Sequence, residues 1–156
     1  MIKTVNLRKL ILCLLLPLFV GLIAQLFTQN SRELYLSFQK PPLSPPAIVF
    51  PFVWTCLYIL IGLASYFIEE AGVCDKKRPR QLYAATLVLN LLWPIVFFTL
   101  KWYVFSSIII ISMVIVAAIT IYFFYNCDKN AAFIFLPYLI WILYATYLNI
   151  GVAVLN

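Results

Sequence analysis

The sequence predicts an all-α membrane protein, folded as a bundle of five transmembrane helices. Of its 156 residues, 65% are hydrophobic and 10% are charged, which is more apolar surface than a soluble domain of this length can bury. Five apolar segments, each near the length that a bilayer demands, cover residues 10–27, 47–68, 82–100, 102–125 and 131–155. The alternating pattern of barrel strands is absent, and helices are the other way to satisfy backbone groups in hydrocarbon. We therefore expect a single membrane domain over residues 1–156.

The first apolar segment follows three basic residues and so resembles a cleavable signal peptide. Its run of residues 10–27 is longer than the usual signal core of about 7–15 residues, and no small-residue cleavage motif follows it. We therefore expect a first spanning helix. Pro17, Gly21 and Gln25 recur at intervals of four, so one face of that helix should pack closely against a neighbour.

A loop over residues 28–46 connects the first segment to the second, and prolines stiffen it. Pro41, Pro42, Pro45 and Pro46 have no N–H group, and each disfavours helical geometry in the residue before it. The second helix can therefore begin only at about residue 47. A loop of this length is more often functional than a mere connection. We expect it to cover one end of the second helix.

The later connections are short, and their charges predict the orientation of the chain. Only Lys101 separates the third and fourth segments, which indicates a tight antiparallel hairpin. Three of the eleven basic residues, Arg32, Lys40 and Lys101, fall on one face of the membrane, and the others fall on the N-terminal face. Because basic residues accumulate on the cytoplasmic side, we expect the N-terminus in the cytoplasm and the proline-rich loop outside.

The charge distribution also excludes several classes of function. The basic residues cluster between apolar runs, where they act as topology signals, so no nucleic acid partner is expected. The spans carry no charge, and proton relays and voltage sensors therefore have no carrier. Five segments do not divide into two equal halves, which disfavours an inverted-repeat transporter. The lipid bilayer is the expected environment.

The four cysteines do not form a metal-binding pattern. Cys13 and Cys56 lie inside apolar segments, Cys74 and Cys127 lie in loops, and the chain has no histidine and no CxxC pair. We therefore expect no metal. A Cys74–Cys127 bridge is possible on spacing, but the predicted orientation places both residues in the cytoplasm, where thiols stay reduced. We expect all four to act as small apolar packing residues.

Amide and indole groups at membrane depth are the candidates for chemistry. Asn90 and Asn149 each need a partner, because an unpaired polar group in hydrocarbon costs several kcal/mol. Trp54, Trp93 and Trp141 lie inside their segments, and each indole N–H needs an internal acceptor or a ligand. Both readings, interhelical hydrogen bonds and contact with a ligand, stay open at this point.

Three ordered motifs resemble those of a known family. They are KPPLSPPAIVFPFVWTCLY at residues 40–58, NLLWP at residues 90–94 followed by two phenylalanines, and LPYLIWILYATYLN at residues 136–149. Together they are similar to the signatures of the TspO/MBR family, the tryptophan-rich sensory proteins and translocator proteins also called peripheral benzodiazepine receptors. The resemblance spans most of residues 10–156.

The resemblance implies a five-helix bundle, commonly a homodimer, with a pocket under the first loop. That pocket binds a hydrophobic small molecule, with protoporphyrin IX or haem as the expected ligand and no required cofactor. Its expected lining is Tyr35, Pro45, Trp54, Tyr58, Asn90, Trp93, Phe97, Trp141 and Ala145. We expect a multi-pass protein that is located in a bacterial cytoplasmic membrane.

The resemblance leaves three functions open. The first is binding and sensing of a tetrapyrrole. The second is light-dependent degradation of a porphyrin, in which Trp54 and Trp141 would be the catalytic residues. The third is a carrier of tetrapyrroles or lipids. The chain departs from the family at Leu43, where the loop usually has tryptophan, and no basic residue follows Tyr147, so sterol binding is not expected.

Overall fold

The computed structural model describes residues 6–72 and 74–156 of the chain. These residues form six α-helices and one π-helical turn, with no strand among them. The elements are α1 (Leu7–Phe27), α2 (Ser31–Ser37), α3 (Val49–Glu70), α4 (Lys77–Pro94), the π-helical turn (Ile95–Thr99), α5 (Tyr103–Cys127) and α6 (Lys129–Leu155). All but α2 belong to the five helical segments that are long and apolar enough to cross a membrane. The predicted fold class is confirmed.

The helices pack around a core of aromatic and branched side chains. The main contacts pair α5 with α6, α1 with α3, α4 with α5, and α3 with α6. Phe135, Tyr138 and Ile142 of α6 are fully buried at the centre of these contacts. On the outer surface large apolar side chains such as Phe19 and Ile140 are exposed. This distribution suits a bundle that is surrounded by lipid.

Two element boundaries differ from those predicted. The loop after α1 contains the short helix α2, and α4 begins at Lys77 rather than near residue 82. Pro79 is compatible with this earlier start, because the first turn of a helix does not need the N–H group that proline lacks. The charged connection between α3 and α4 is therefore shorter than expected.

The end of α4 is reshaped by Pro94. A proline inside a helix removes the hydrogen bond to the carbonyl four residues earlier, and here the chain continues as the π-helical turn. The Leu100 N–H then donates to the Ile95 carbonyl at 3.0 Å, and the Trp102 N–H donates to the Val96 carbonyl at 3.1 Å. Lys101 adopts a left-handed backbone with φ of 58°. These features reverse the chain into α5.

Small residues on the helices lie at contacts between helices inside the bundle. A Cβ atom on Gly21 would meet the Tyr58 ring at 2.5 Å, and one on Gly62 would meet the Cys13 carbonyl oxygen at 2.6 Å. Ala117 of α5 is fully buried as well. These positions therefore let neighbouring helices approach closely.

A disulfide joins Cys74 and Cys127. The prediction that both thiols stay reduced is wrong for this structure. The loop after α3 and the C-terminal end of α5 lie on the same face, and their two Cα atoms are 5.4 Å apart, which is within the range that a disulfide spans. Cys13 and Cys56 are free; Cys13 is half-buried, whereas Cys56 is exposed, so the expected packing role does not hold for Cys56.

Candidate ligand-binding site

Hydrogen bonds fasten the proline-rich loop onto α6. The Tyr144 hydroxyl donates to the Leu43 carbonyl at 2.6 Å, and the Tyr147 hydroxyl donates to the Pro42 carbonyl at 2.8 Å. Leu43 has a left-handed backbone, with φ of 65°, and its side chain is exposed. The position at which the family usually has tryptophan therefore points away from the core here.

A second attachment lies at the end of α6. The Gln39 N–H donates to the side-chain oxygen of Asn156 at 3.0 Å, and the Asn156 amide donates back to the Gln39 carbonyl at 2.9 Å. Next to this pair, a Cβ atom on Gly151 would meet the Pro41 ring at 2.5 Å. The loop and α6 are thus in direct contact, and the loop covers one end of the bundle.

The helix α2 carries Tyr35 beneath this cover. Its hydroxyl donates to the Pro45 carbonyl at 2.6 Å. Burial raises the pKa of Tyr35 above its usual value, so the hydroxyl stays protonated and can donate. The Lys40 ammonium lies over the Tyr35 ring, 5.1 Å from its centroid, and donates to the Tyr35 and Leu36 carbonyls. Lys40 therefore stabilises the end of α2.

Aromatic side chains under the loop form two connected rows, here called the aromatic cluster. In the first row Trp54 lies 5.7 Å from Tyr58 and 6.1 Å from Trp93, measured between ring centroids, and Trp93 lies 5.7 Å from Phe97. Phe97 follows Pro94, so the π-helical turn brings it to this position.

The second row runs from α2 to α6. Phe50 lies 4.9 Å from Tyr35 and 6.1 Å from Trp141, and Trp141 lies 5.5 Å from Tyr144. Phe50 and Trp54 are four residues apart on α3 and share one helix face, which connects the two rows.

Asn149 is a structural hub behind the first row. Its side-chain oxygen accepts from the Trp93 indole N–H at 2.8 Å and from the Ser106 hydroxyl at 3.1 Å. Its amide donates to the Ser107 hydroxyl at 2.7 Å and to the Tyr103 carbonyl at 3.3 Å. The N–H group of Trp93 is therefore satisfied within the protein.

Asn90 and Trp141 each keep an unused polar atom. The Asn90 amide donates to the Thr86 carbonyl at 2.8 Å and to the Tyr138 hydroxyl at 3.0 Å. Its oxygen Oδ1 and the indole Nε1 of Trp141 are buried and have no hydrogen-bond partner among the described residues. One of these atoms accepts and the other donates. A ligand that met both atoms would need one polar edge that donates and one that accepts.

The predicted lining residues lie around this region. Trp54, Tyr58, Trp93 and Phe97 are in mutual ring contact along the first row, and Tyr35, Pro45 and Trp141 are connected by the second row and its hydrogen bond. Ala145 is buried one turn after Trp141 on α6. Asn90 reaches the same helix through Tyr138.

Three residues of this region were not among the predicted lining: Phe50, Tyr138 and Tyr144. Spacing could have found them, because Phe50 is four residues before Trp54, and Tyr138 and Tyr144 are each three residues from Trp141. The aromatic cluster is closely packed, and a cavity of about 610 Å³ lies beside it rather than within it.

Comparison with known proteins gives a family match and several relatives. The model of the TspO/MBR family matches residues 13–155. The chain is 36% identical over 152 residues to the tryptophan-rich protein TspO of Archaeoglobus fulgidus, covering 97% of this chain and 99% of that one. It is 37% identical over 124 residues to the tryptophan-rich sensory protein of Cereibacter sphaeroides, covering 80% and 77%. It is 34% identical over 118 residues to the human translocator protein, covering 74% and 70%.

Proposed function

The chain belongs to the TspO/MBR family, and on that premise we propose that it binds a tetrapyrrole within the membrane and acts as a sensory protein. The ligand is a porphyrin or a haem-like ring, held under the proline-rich loop by the aromatic cluster. The chain itself is a multi-pass integral membrane protein with five apolar helical spans.

The unused pair of polar atoms carries this proposal. Asn90 Oδ1 is a buried acceptor on a side chain that donates to Tyr138, and Trp141 Nε1 is a buried donor on a ring that lies against Phe50 and Tyr144. Flat conjugated rings favour stacked or edge-on aromatic contacts, and a few placed polar groups orient them. A protoporphyrin presents inner N–H groups, which can donate, and carboxylates, which accept. Because the cluster is closely packed, its rings must separate to admit such a ligand.

A titration with protoporphyrin IX tests the proposal. The full chain in detergent is titrated in the dark, and tryptophan fluorescence and the porphyrin absorption band are followed. Asn90→Ala and Trp141→Phe should each weaken binding by roughly five- to thirtyfold, because each removes one buried hydrogen-bonding group. Trp102→Phe is the matched control, since that indole is exposed outside the cluster. Unchanged affinity in both cluster variants would contradict the proposed site.

A second candidate function is light-dependent degradation of the bound porphyrin. It is favoured by the position of Trp54, whose ring lies 6.1 Å from Trp93 in the aromatic cluster, and by the free indole N–H of Trp141. An excited porphyrin can oxidise a neighbouring indole or be quenched by it. Its sign would be a new absorbance product that forms only on illumination and is lost in Trp54→Phe and Trp141→Phe. A porphyrin spectrum that stays unchanged under light would contradict degradation and leave binding as the supported function.

We propose a bacterial cytoplasmic membrane as the location, with the N-terminus in the cytoplasm. The basic residues support this orientation, because all except Arg32, Lys40 and Lys101 lie on the N-terminal face. The Cys74–Cys127 disulfide lies on the same face. Cytoplasmic disulfides are usually transient, so a bridge that persists in cells when thiols are blocked at lysis would contradict this orientation.

Labelling with an impermeant maleimide checks the orientation. Leu36, on the exposed side of α2, is replaced by cysteine in a chain that lacks all four native cysteines. Intact cells should label Leu36→Cys from outside. Labelling only after the cells are opened would reverse the orientation.

The family resemblance also leads us to propose a homodimer. Gly21, Gly62 and Ala117 already pack within one bundle, so the contact between two copies must use other residues. Exposed positions on the outer helix faces are available for this, among them Ala118 of α5. The mass of the detergent-solubilised protein, measured by light scattering with the detergent contribution subtracted, tests this proposal.

A further inference from the structure

A cavity of about 610 Å³ lies where the C-terminal end of α1, the helix α2 and the π-helical turn meet. The Thr99 hydroxyl donates to the Phe27 carbonyl at 2.7 Å and ties two of these walls together. Phe98 forms the wall toward the aromatic cluster, with its ring 4.8 Å from Phe97 and 6.2 Å from Trp93. The cavity is therefore adjacent to the candidate ligand-binding site but separate from it.

The cavity lies at the level of a membrane interface. Its walls include Phe27, the last residue of α1, and Lys101, in the turn before α5. Next to Lys101 the ring of Trp102 is exposed, and tryptophan at the end of a span is typical of the headgroup region. A polar opening at this depth faces the headgroups of the surrounding lipids.

Two opposite charges line the cavity without neutralising each other. Glu33 of α2 and Lys101 are both in its wall. Among the described residues neither side chain takes part in an ion pair, with the other or with a third group. Leu34 and Phe98 supply apolar surface beside them. The cavity therefore offers one site for a cation, one for an anion, and apolar surface beside them.

We propose that this cavity binds the headgroup of a zwitterionic phospholipid. The lipid phosphate lies against the Lys101 ammonium, and the ammonium of the headgroup lies against the Glu33 carboxylate. Both α1 and the π-helical turn end at the cavity, and the carbonyl end of a helix also favours a cation. The glycerol and the start of the acyl chains lie along Leu34 and Phe98. This proposal does not depend on tetrapyrrole binding.

The charge pattern separates this ligand from its alternatives. A lipid such as phosphatidylglycerol has the phosphate but no ammonium, so it would use Lys101 and leave Glu33 close to a negative group. A soluble compound with phosphate and ammonium groups has the same charges but no apolar part for Leu34 and Phe98. The membrane lipid and the soluble compound have the same headgroup charges. Only the acyl chains distinguish them.

Native mass spectrometry of the full chain in detergent tests the proposal. The chain is mixed with phosphatidylethanolamine or phosphatidylglycerol of identical acyl chains, and the bound fraction is measured against lipid concentration. The wild-type chain should bind phosphatidylethanolamine about tenfold more tightly, because only this lipid also pairs with Glu33. Equal affinity for the two lipids would overturn the proposal, and this comparison needs no variant to fold.

Three variants locate the binding. Glu33→Gln and Lys101→Asn should each weaken phosphatidylethanolamine binding about tenfold, and Glu33→Gln should not weaken phosphatidylglycerol binding. Asparagine is chosen at position 101 because it tolerates the left-handed backbone found there. Arg32→Gln is the matched control, since Arg32 neighbours Glu33 on α2 but does not line the cavity. Wild-type binding in both cavity variants, or an equal loss in Arg32→Gln, would overturn the proposal.

A competition experiment identifies the source of the headgroup. Glycerophosphoethanolamine, which has no acyl chains, should not displace the lipid at comparable concentration. Displacement at equal concentration would overturn the assignment to a membrane lipid, because the apolar wall would then contribute nothing. The porphyrin titration of Asn90 and Trp141 variants is a separate readout, so failure of either proposal leaves the other testable.

Discussion

At the residue scale the site depends on which polar atoms are satisfied inside the protein. Asn149 forms hydrogen bonds with the Trp93 indole and two serine hydroxyls of α5. In Asn90 the amide nitrogen has partners, but the oxygen Oδ1 has none among the described residues. The two buried amides therefore differ in the availability of their polar atoms. Both amides connect helices, but only Asn90 keeps a free acceptor.

We expect Asn149→Ala to destabilise the bundle by roughly 2 kcal/mol, because it leaves the buried Trp93 N–H and the Ser106 hydroxyl without that partner. Thermal unfolding in detergent measures the loss, and tryptophan emission reports the change around Trp93. Ser112→Ala is the control, since Ser112 donates only to the Ile108 carbonyl of its own helix. Equal stability of the two variants would contradict the role of Asn149.

Sequence spacing predicted the faces that carry these residues but not their partners. Trp54 and Tyr58, four residues apart, were predicted to share a face, and their rings lie 5.7 Å apart. Whether an indole finds an acceptor depends on the rotation and depth of the opposite helix. For that reason the sequence could not tell which of Trp93 and Trp141 has an acceptor for its indole N–H. The structure shows that Trp93 has one and that Trp141 has none among the described residues.

At the element scale the loop over residues 39–45 acts as a cover that four contacts hold in place. The Tyr144 and Tyr147 hydroxyls bond its carbonyls, the Gln39 and Asn156 pair closes its start, and the Tyr35 hydroxyl bonds Pro45. The tyrosine hydroxyls donate to backbone carbonyls of the loop. Replacing these tyrosines therefore weakens the cover without changing the sequence of the loop.

We expect the double variant Tyr144→Phe with Tyr147→Phe to open the loop more often. Two hydrogen bonds, each worth about 1 kcal/mol, would be lost, so exchange of the Gln39 amide, which donates to Asn156 at the start of the loop, should accelerate by roughly ten- to thirtyfold. Hydrogen exchange with mass spectrometry measures this rate. Tyr122→Phe on the exposed surface of α5 is the control. An unchanged exchange rate would show that these hydroxyls do not hold the cover.

Proline positions made part of this element predictable. The four loop prolines delayed α3 to Val49, close to the expected residue 47. The helix α2 was not predicted, because seven residues within a polar loop give no clear periodic signal. The π-helical turn after Pro94 was also missed, since a proline can end, kink or widen a helix and only packing decides among these.

At the scale of the whole molecule, hydropathy and length were sufficient to predict the five spanning helices, because backbone hydrogen bonding leaves few folds in a bilayer. The Cys74–Cys127 disulfide was not predicted to form. Its formation depends on how closely two loops approach, and neither composition nor spacing contains that distance.

We expect Cys74→Ala and Cys127→Ala each to lower the stability of the oxidised protein by about 2–4 kcal/mol, because the bridge restricts the unfolded chain. Thermal unfolding without reductant compares them with the wild type. Reductant should lower the wild-type midpoint to that of the variants and leave the variants unchanged. Cys56→Ala is the control, as Cys56 is free. If reductant still lowers the unfolding midpoint of Cys74→Ala, its effect does not come from the Cys74–Cys127 disulfide.

The same disulfide closes a covalent ring that contains α4, the π-helical turn and α5. When the two ends of the chain are pulled apart, the residues between Cys74 and Cys127 bear no tension as long as the bridge is intact. Their sequence separation is 53 residues. At about 3.4 Å for each extended residue, the oxidised chain should reach a contour length roughly 180 Å shorter than the reduced chain. Under force, two of the five spanning helices are thus shielded by one bond at the membrane surface.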